Sequence, residues 1–201
     1  MNDKRRVAVL GLYRSGSSAA AGALHHLGVD MGSPYFRDHY ESLLLARKLR
    51  LWWREPHLQE MMPRDARVRR LADWIGWQQQ KPTPWIGAKH PLLSARGEDL
   101  QEAWGPDVRY IWTWRALDES IDSIKRIGWW APEVSESLQR RLWDALQRFF
   151  ADTPHLRVEF AEMVAHPARE IDRMIEFLDI EPDPARVRAA IDSIRYEKAS
   201  R

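Results

Sequence analysis

The sequence has no cysteine among its 201 residues, which excludes disulfides and zinc–thiolate centres. It contains no run of the roughly 18 consecutive apolar residues that a membrane-spanning helix requires. Charge of one sign is also scarce. The 31 Lys and Arg against 29 Asp and Glu leave a net charge of +2, too small to argue for a nucleic-acid partner by itself. The N-terminal Met1-Asn2-Asp3-Lys4-Arg5-Arg6 is charged. The apolar stretch behind it is short and runs into a glycine, so it reads as a first strand and not as a secretory signal. A single domain over 1–201 and a cytoplasmic location are the expectations these absences leave.

What is present concentrates near the N-terminus. Val7-Ala8-Val9-Leu10 is an apolar, β-branched run that stops at Gly11. A short loop, Leu12-Tyr13-Arg14-Ser15-Gly16-Ser17-Ser18, leads into the alanine-rich start of a helix. A strand that feeds a helix N-terminus through such a loop forms an anion cradle, because backbone N–H groups converge there and the helix dipole adds about half a positive charge. Gly11 and Gly16 have the spacing of the P-loop of nucleoside triphosphatases, but Ser17 stands where that pattern requires lysine. A metal–triphosphate site also needs an acidic residue at a second strand end. The strand that would carry it, Val108 to Trp114, ends in Arg115 instead. Arg14 suits an anion neutralised by guanidinium and backbone donors without metal. The plain alternative is a tight strand–helix turn with a solvated arginine.

Periodicity predicts strands at Val7–Leu10, Trp85–Lys89, Val108–Trp114 and His155–Phe160, separated by helices. These helices are expected at 17–27, 41–53, 65–80, 96–104, 117–127, 132–150, 167–178 and 184–195. The alternation argues for an α/β fold: three layers, α/β/α, around a parallel sheet of about four to five strands. Ligands of such sheets bind at the carboxyl ends of the strands, where the Gly-Ser loop, Lys89 and Arg115 all fall. Ser123, eight residues after Arg115, lies in the following helix and offers a hydroxyl to the same anion. Eleven tryptophans are expected mostly in the core, with a few lining an apolar pocket. The pair His25-His26 is a poor metal site, since adjacent helical residues face different directions. The four arginines of Arg64 to Arg70 read as a solvated helix face, or as a surface for an anionic partner.

The segments at 7–18 and 110–123 together resemble the two signatures of the sulfotransferases that use 3′-phosphoadenosine-5′-phosphosulfate (PAPS). The bacterial branch often has Arg-Ser-Gly-Thr-Ser where this chain has Arg14-Ser15-Gly16-Ser17-Ser18. A strand-end Arg with a Ser eight positions later matches Arg115 and Ser123. Gly87-Ala88-Lys89-His90-Pro91 resembles a Lys-Asp-Pro-Arg segment, with His90 in place of Asp and Leu92 near the Arg. Arg157 to Met163, Pro167 and Phe177-Leu178 are similar to the family's Tyr-Glu-Asp-Leu stretch and Phe-Leu-Gly end. Asp38-His39-Tyr40-Glu41 stands where bacterial relatives often have Gly-Tyr/Phe-Phe/Trp-Glu. The Arg-Lys-Gly loop of the animal cytosolic enzymes is absent.

The resemblance implies a P-loop-like sulfotransferase fold with a helical acceptor-side insertion at about 33–82. It implies transfer of a sulfuryl group from PAPS, without metal, to a hydroxyl or amine of a small-molecule, lipid or glycan acceptor. Arg14 and the N–H groups of Ser15, Gly16, Ser17 and Ser18 would hold the 5′-phosphosulfate. Arg115 and Ser123 would hold the 3′-phosphate, and Lys89 would stabilise the sulfuryl or bridging oxygen. Glu41, His90 and His39 are the candidate bases, in that order. Trp52, Trp53, Trp129 and Trp130 are candidates for the acceptor wall. The alternatives are a P-loop small-molecule kinase, which would need magnesium and ATP, and a catalytically degenerate nucleotide-binding protein.

Overall fold

The computed structural model describes residues 4–36, 39–51 and 62–199. Four parallel strands form its main sheet: β1 (Arg5–Gly11), β4 (Trp85–Lys89), β5 (Val108–Trp114) and β6 (Leu156–Glu159), in the order β4-β1-β5-β6. The register pairs Val9 with Lys89 on one side of β1 and Gly11 with Thr113 on the other. From β1 the chain passes first to β4 on one flank, then to β5 on the opposite flank. That reversal opens a crevice above the C-terminal end of β1, the place where such sheets bind ligands.

Strand alternation divides the core into two layers. Ala8 and Leu10 face one cluster with Leu71 and Trp74 of α3 (Arg64–Gln78), Leu100 and Trp104 of α4 (Gly97–Trp104), and Leu142 and Phe149 of α6 (Pro132–Asp152). Val7 and Val9 face the other cluster. There they meet Ala20 and Leu24 of α1 (Ser17–His26), Ile171 and Met174 of α8 (Pro167–Leu178), and Ala190 of α9 (Pro184–Ala199). Period-2 alternation of apolar residues buried on both sides is what a strand covered on both faces requires.

Several elements differ from the sequence reading. A two-stranded antiparallel hairpin, β2 (Tyr35–Phe36) with β3 (Glu41–Ser42), precedes α2 (Leu43–Leu49). The helix expected over 41–53 therefore starts at Leu43, where Ser42 caps it by accepting from the Leu45 N–H at 3.3 Å. It ends at Arg50, which is left-handed at φ 56°. Asp38, Trp52 and Trp53 lie outside the described residues. A short α7 (Phe160–Ala165) follows β6 directly, and α5 (Leu117–Ile127) packs against α6.

The Arg64–Arg70 run is not simply a solvated face. Arg64 and Arg67 pair with Asp99 of α4, and Arg70 donates to the Lys48 carbonyl at 2.6 Å. These arginines tie α3 to its neighbours. Trp74 and Trp104 stack at 5.5 Å in the core beside them.

Candidate active site

The crevice above β1 holds a cavity of about 270 Å³ lined by loop residues Tyr13, Arg14, Gly16, Ser17 and Ser18. Its other walls are Lys89, His90 and Pro91 after β4, the segment with Phe36, His39 and Glu41, and Trp129. A larger groove of about 1050 Å³ lies at the opposite end of the strands, beside Arg5 and Trp85. Its Arg5, Arg186 and Lys81 are paired with Asp179, Asp183 and Asp30, so it does not converge on an anion.

The loop's shape follows from its small residues. A Cβ on Gly11 would collide with the Thr113 hydroxyl and come within 2.7 Å of the Thr113 carbonyl oxygen. Ser94 exchanges hydrogen bonds with both the N–H and the carbonyl of Gly11, each at 2.8 Å. Gly16 is left-handed at φ 86°, and a Cβ there would lie 2.5 Å from the Phe160 ring. Arg14 is also left-handed, at φ 66°, a conformation that costs a non-glycine residue about 1–3 kcal/mol and persists only where its surroundings fix it. The first N–H groups of α1, from Ser17 onward, have no partner within the helix, and Gly16, Ser17 and Ser18 line the cavity there.

The expected residues divide into those that meet the cavity and those that build it. Ser15 builds it: its hydroxyl donates to the Leu12 carbonyl at 2.8 Å and lies 2.9 Å from the Thr113 hydroxyl, and its N–H turns back to Leu12 at 3.3 Å. Ser18 accepts from Lys89 Nζ at 3.0 Å. Arg14 Nε donates to Ser123 Oγ at 3.2 Å, and Arg115 Nη1 donates to the Arg14 carbonyl at 3.1 Å. Arg115 also pairs with Glu119 and lies 5.1 Å from the centroid of Phe160. Arg14, Arg115 and Ser123 are thus one cluster, drawn from the ends of β1 and β5 and the second turn of α5.

On the β4 side Lys89 is 2% exposed and donates to Glu41 Oε1 at 2.7 Å. Glu41 lies in β3, where pairing with Phe36 aims its carboxylate back at the end of β4. Burial raises the Glu41 pKa, but the charges of Lys89 and His90, the Lys89 hydrogen bond and the charge of His39 outweigh it, pushing it down to about 2. His90 Nδ1 accepts from the Leu92 N–H at 3.1 Å, capping a 3-10 helix over Pro91–Arg96. That contact assigns the proton of the neutral ring to Nε2, which faces Glu41 Oε2 at 3.7 Å. Burial lowers the His90 pKa against the pull of Glu41, so the ring is neutral near pH 7. This tautomer leaves His90 no lone pair toward the cavity. His39 stacks on Phe36 at 5.9 Å.

Trp129 is 40% exposed at the rim, while Trp130 packs edge-on against Tyr13 at 5.2 Å. His25 and His26 sit away from the cavity, with His25 against Tyr35 and Tyr40. Among the described residues no group of three His, Cys, Asp or Glu side chains could hold a metal ion. No described helix is long and apolar enough to cross a membrane. Three contributors escaped sequence reasoning: Tyr13, Phe160 and Gln139. Phe160 had a signal, since it falls within the Arg157–Met163 stretch that carries the resemblance.

Comparison with known proteins bears on the family and the fold. Residues 6–184 match the model of the sulfotransferase family. Among solved structures, the sulfotransferase domain of the Synechococcus PCC 7002 olefin synthase superposes with a TM-score of 0.63 at 19% identity, over 92% of this chain and 77% of that one. A sulfotransferase from Mycobacterium avium gives 0.63 at 16% identity, over 98% and 68%. The sulfotransferase domain of the curacin biosynthetic pathway gives 0.58 at 15% identity, over 93% and 77%. At these identities the likeness is one of fold. No curated protein matches the sequence. With residues 6–184 matched, nearly its whole length, the chain belongs to the sulfotransferase family.

Proposed function

We propose that this protein transfers a sulfuryl group from PAPS to a neutral hydroxyl or amine of a small acceptor. The observation that carries the reading is the convergence of Arg14, Lys89 and the N-terminus of α1 on one cavity, with Arg115 held behind it against the Arg14 carbonyl. The donor set fits: two guanidinium groups, one ammonium and a helix N-terminus suit a ligand with two separated anionic ends. The donor supplies the sulfuryl group and a leaving nucleotide phosphate.

In this reading the N–H groups of Gly16, Ser17 and Ser18 hold the 5′-phosphosulfate with Arg14. Arg115 and Ser123 hold the 3′-phosphate. Lys89 leaves Glu41 for the sulfuryl and bridging oxygens, where negative charge grows as the S–O bond to phosphate breaks. Glu41, relieved of its nearest cation, rises in pKa and takes the acceptor's proton as the acceptor atom bonds to sulfur. His90, whose Nε2 stands 3.7 Å from the Glu41 carboxylate, flanks it and does not itself act as base. Phe36, His39, Trp129 and Tyr13 favour an acceptor with an apolar or ring-bearing body. Phe36 and His39 of that wall belong to the insertion over about 33–82, and the chain acts as one domain.

Replacing Glu41 with Gln tests the assignment. With PAPS and a panel of phenols, fatty alcohols and sugars, E41Q is expected to form no sulfated product, while adenosine-3′,5′-bisphosphate (PAP) affinity stays within about threefold. Product formation by E41Q at the wild-type rate would remove Glu41 from the mechanism.

A further inference from the structure

Gln139, on α6, lies outside the cavity and is 1% exposed. Its Nε2 donates to the Tyr13 carbonyl at 2.8 Å and to the Ser120 carbonyl at 3.3 Å. One bond grips the loop a residue before Arg14; the other grips α5 one turn before Ser123. The peptide planes on the two sides of the Arg14 Cα are therefore both held. The plane before it is held by Gln139 and the plane after it by Arg115, through the Arg14 carbonyl. The φ and ψ of a residue are the rotations of these two planes about its Cα. Two fixed planes keep Arg14 in its left-handed conformation, and that conformation delivers Nε to Ser123.

We infer that Gln139 is a positioning residue that sets the register between the 5′- and 3′-anion subsites, so that selectivity for a 3′-phosphorylated nucleotide depends on it. The inference rests on the donor assignment proposed above. Without Gln139 the plane before Arg14 is free to rotate, Arg14 moves off Ser123, and Arg115 loses the carbonyl that locates it. The N–H groups at the start of α1 do not touch Gln139, so binding of a lone 5′-phosphate persists.

The test compares wild type with Q139L, measuring PAP affinity by calorimetry and AMP affinity by displacement of PAP. Q139L is expected to weaken PAP about tenfold and AMP less than about threefold, so the PAP-over-AMP preference contracts. A purely structural role would lower the unfolding temperature and leave the ratio unchanged. A folded Q139L with the wild-type ratio overturns the inference. If Q139L does not fold, Q139M keeps the side-chain length without the donor and carries the same test. Failure of the wild type to bind PAP would instead overturn the donor assignment, and this inference with it.

Discussion

Replacing Lys89 with Met probes the site where stability and chemistry meet. Lys89 Nζ and Glu41 Oε1 are 2.7 Å apart, with side-chain exposures of 2% and 18%. At an effective dielectric of about 20 their attraction is about 6 kcal/mol, from which desolvation of two ions takes several kcal/mol. The pKa gives a second route. A fall from an ordinary 4.5 to about 2 at Glu41 corresponds to about 3 kcal/mol, the net of burial against Lys89, the largest favourable contributor, and the smaller pulls of His90 and His39. K89M is therefore expected to lose about 3 kcal/mol in urea unfolding at pH 7, a large share of a domain's usual 5–15 kcal/mol. K89M/E41Q is expected to recover about 2 kcal/mol of that loss, since no charge is then left stranded. Because the folded-state pKa of Glu41 is depressed, its contribution is present above about pH 4.5 and is lost as pH falls toward 2. Wild type loses that increment on acidification, and K89M has little of it to lose. Additivity of the two single substitutions, or a K89M cost below about 1 kcal/mol, would refute the reasoning. Activity follows a separate line: K89M is expected to lower kcat by about 10²–10³ and K89M/E41Q not to restore it.

H90N keeps an acceptor for the Leu92 N–H and is expected to retain kcat within about tenfold, with the pH–rate profile between about pH 5 and 8 unchanged in shape. Loss of an inflection in that range would make His90 the base. S123A removes the acceptor for Arg14 Nε and is expected to weaken PAP about fivefold by calorimetry, with little change in the urea midpoint. G11A forces a Cβ against the Thr113 hydroxyl and carbonyl and is expected to cost at least about 2 kcal/mol in the same urea assay. An unchanged midpoint would refute that crowding.

Much of this site was legible in the sequence because its parts are local. The apolar run into Gly11, the spacing of Gly11 and Gly16 and the alanine-rich helix start are short-range signals, and they define strand, loop and helix together. Lys89 and Arg115 could be placed because strand ends are readable and parallel sheets gather them at one edge. The hairpin of Tyr35–Phe36 with Glu41–Ser42 was not readable. Two residues per strand carry no periodicity, and the pairing is fixed by tertiary context. That hairpin decides where Glu41 points, so the sequence could name the carboxylate but not its contact with Lys89. Ser15 differs for a related reason: the sequence offers its N–H to the anion, but that N–H turns back to the Leu12 carbonyl while Thr113, 98 residues on, holds the hydroxyl. Gln139 was invisible because its partners are backbone carbonyls, which leave no trace in residue identity.

The central claim is a metal-free grip on a nucleotide with two phosphate ends, and thermal unfolding with PAP measures it most directly. At a PAP concentration of about 100 times Kd, binding adds about 2.7 kcal/mol, or roughly 5–10 °C in Tm for a chain of this size. That shift is expected with PAP in the presence of a chelator, and little shift with magnesium and ATP. A shift with magnesium and ATP alone, and none with PAP, would contradict it.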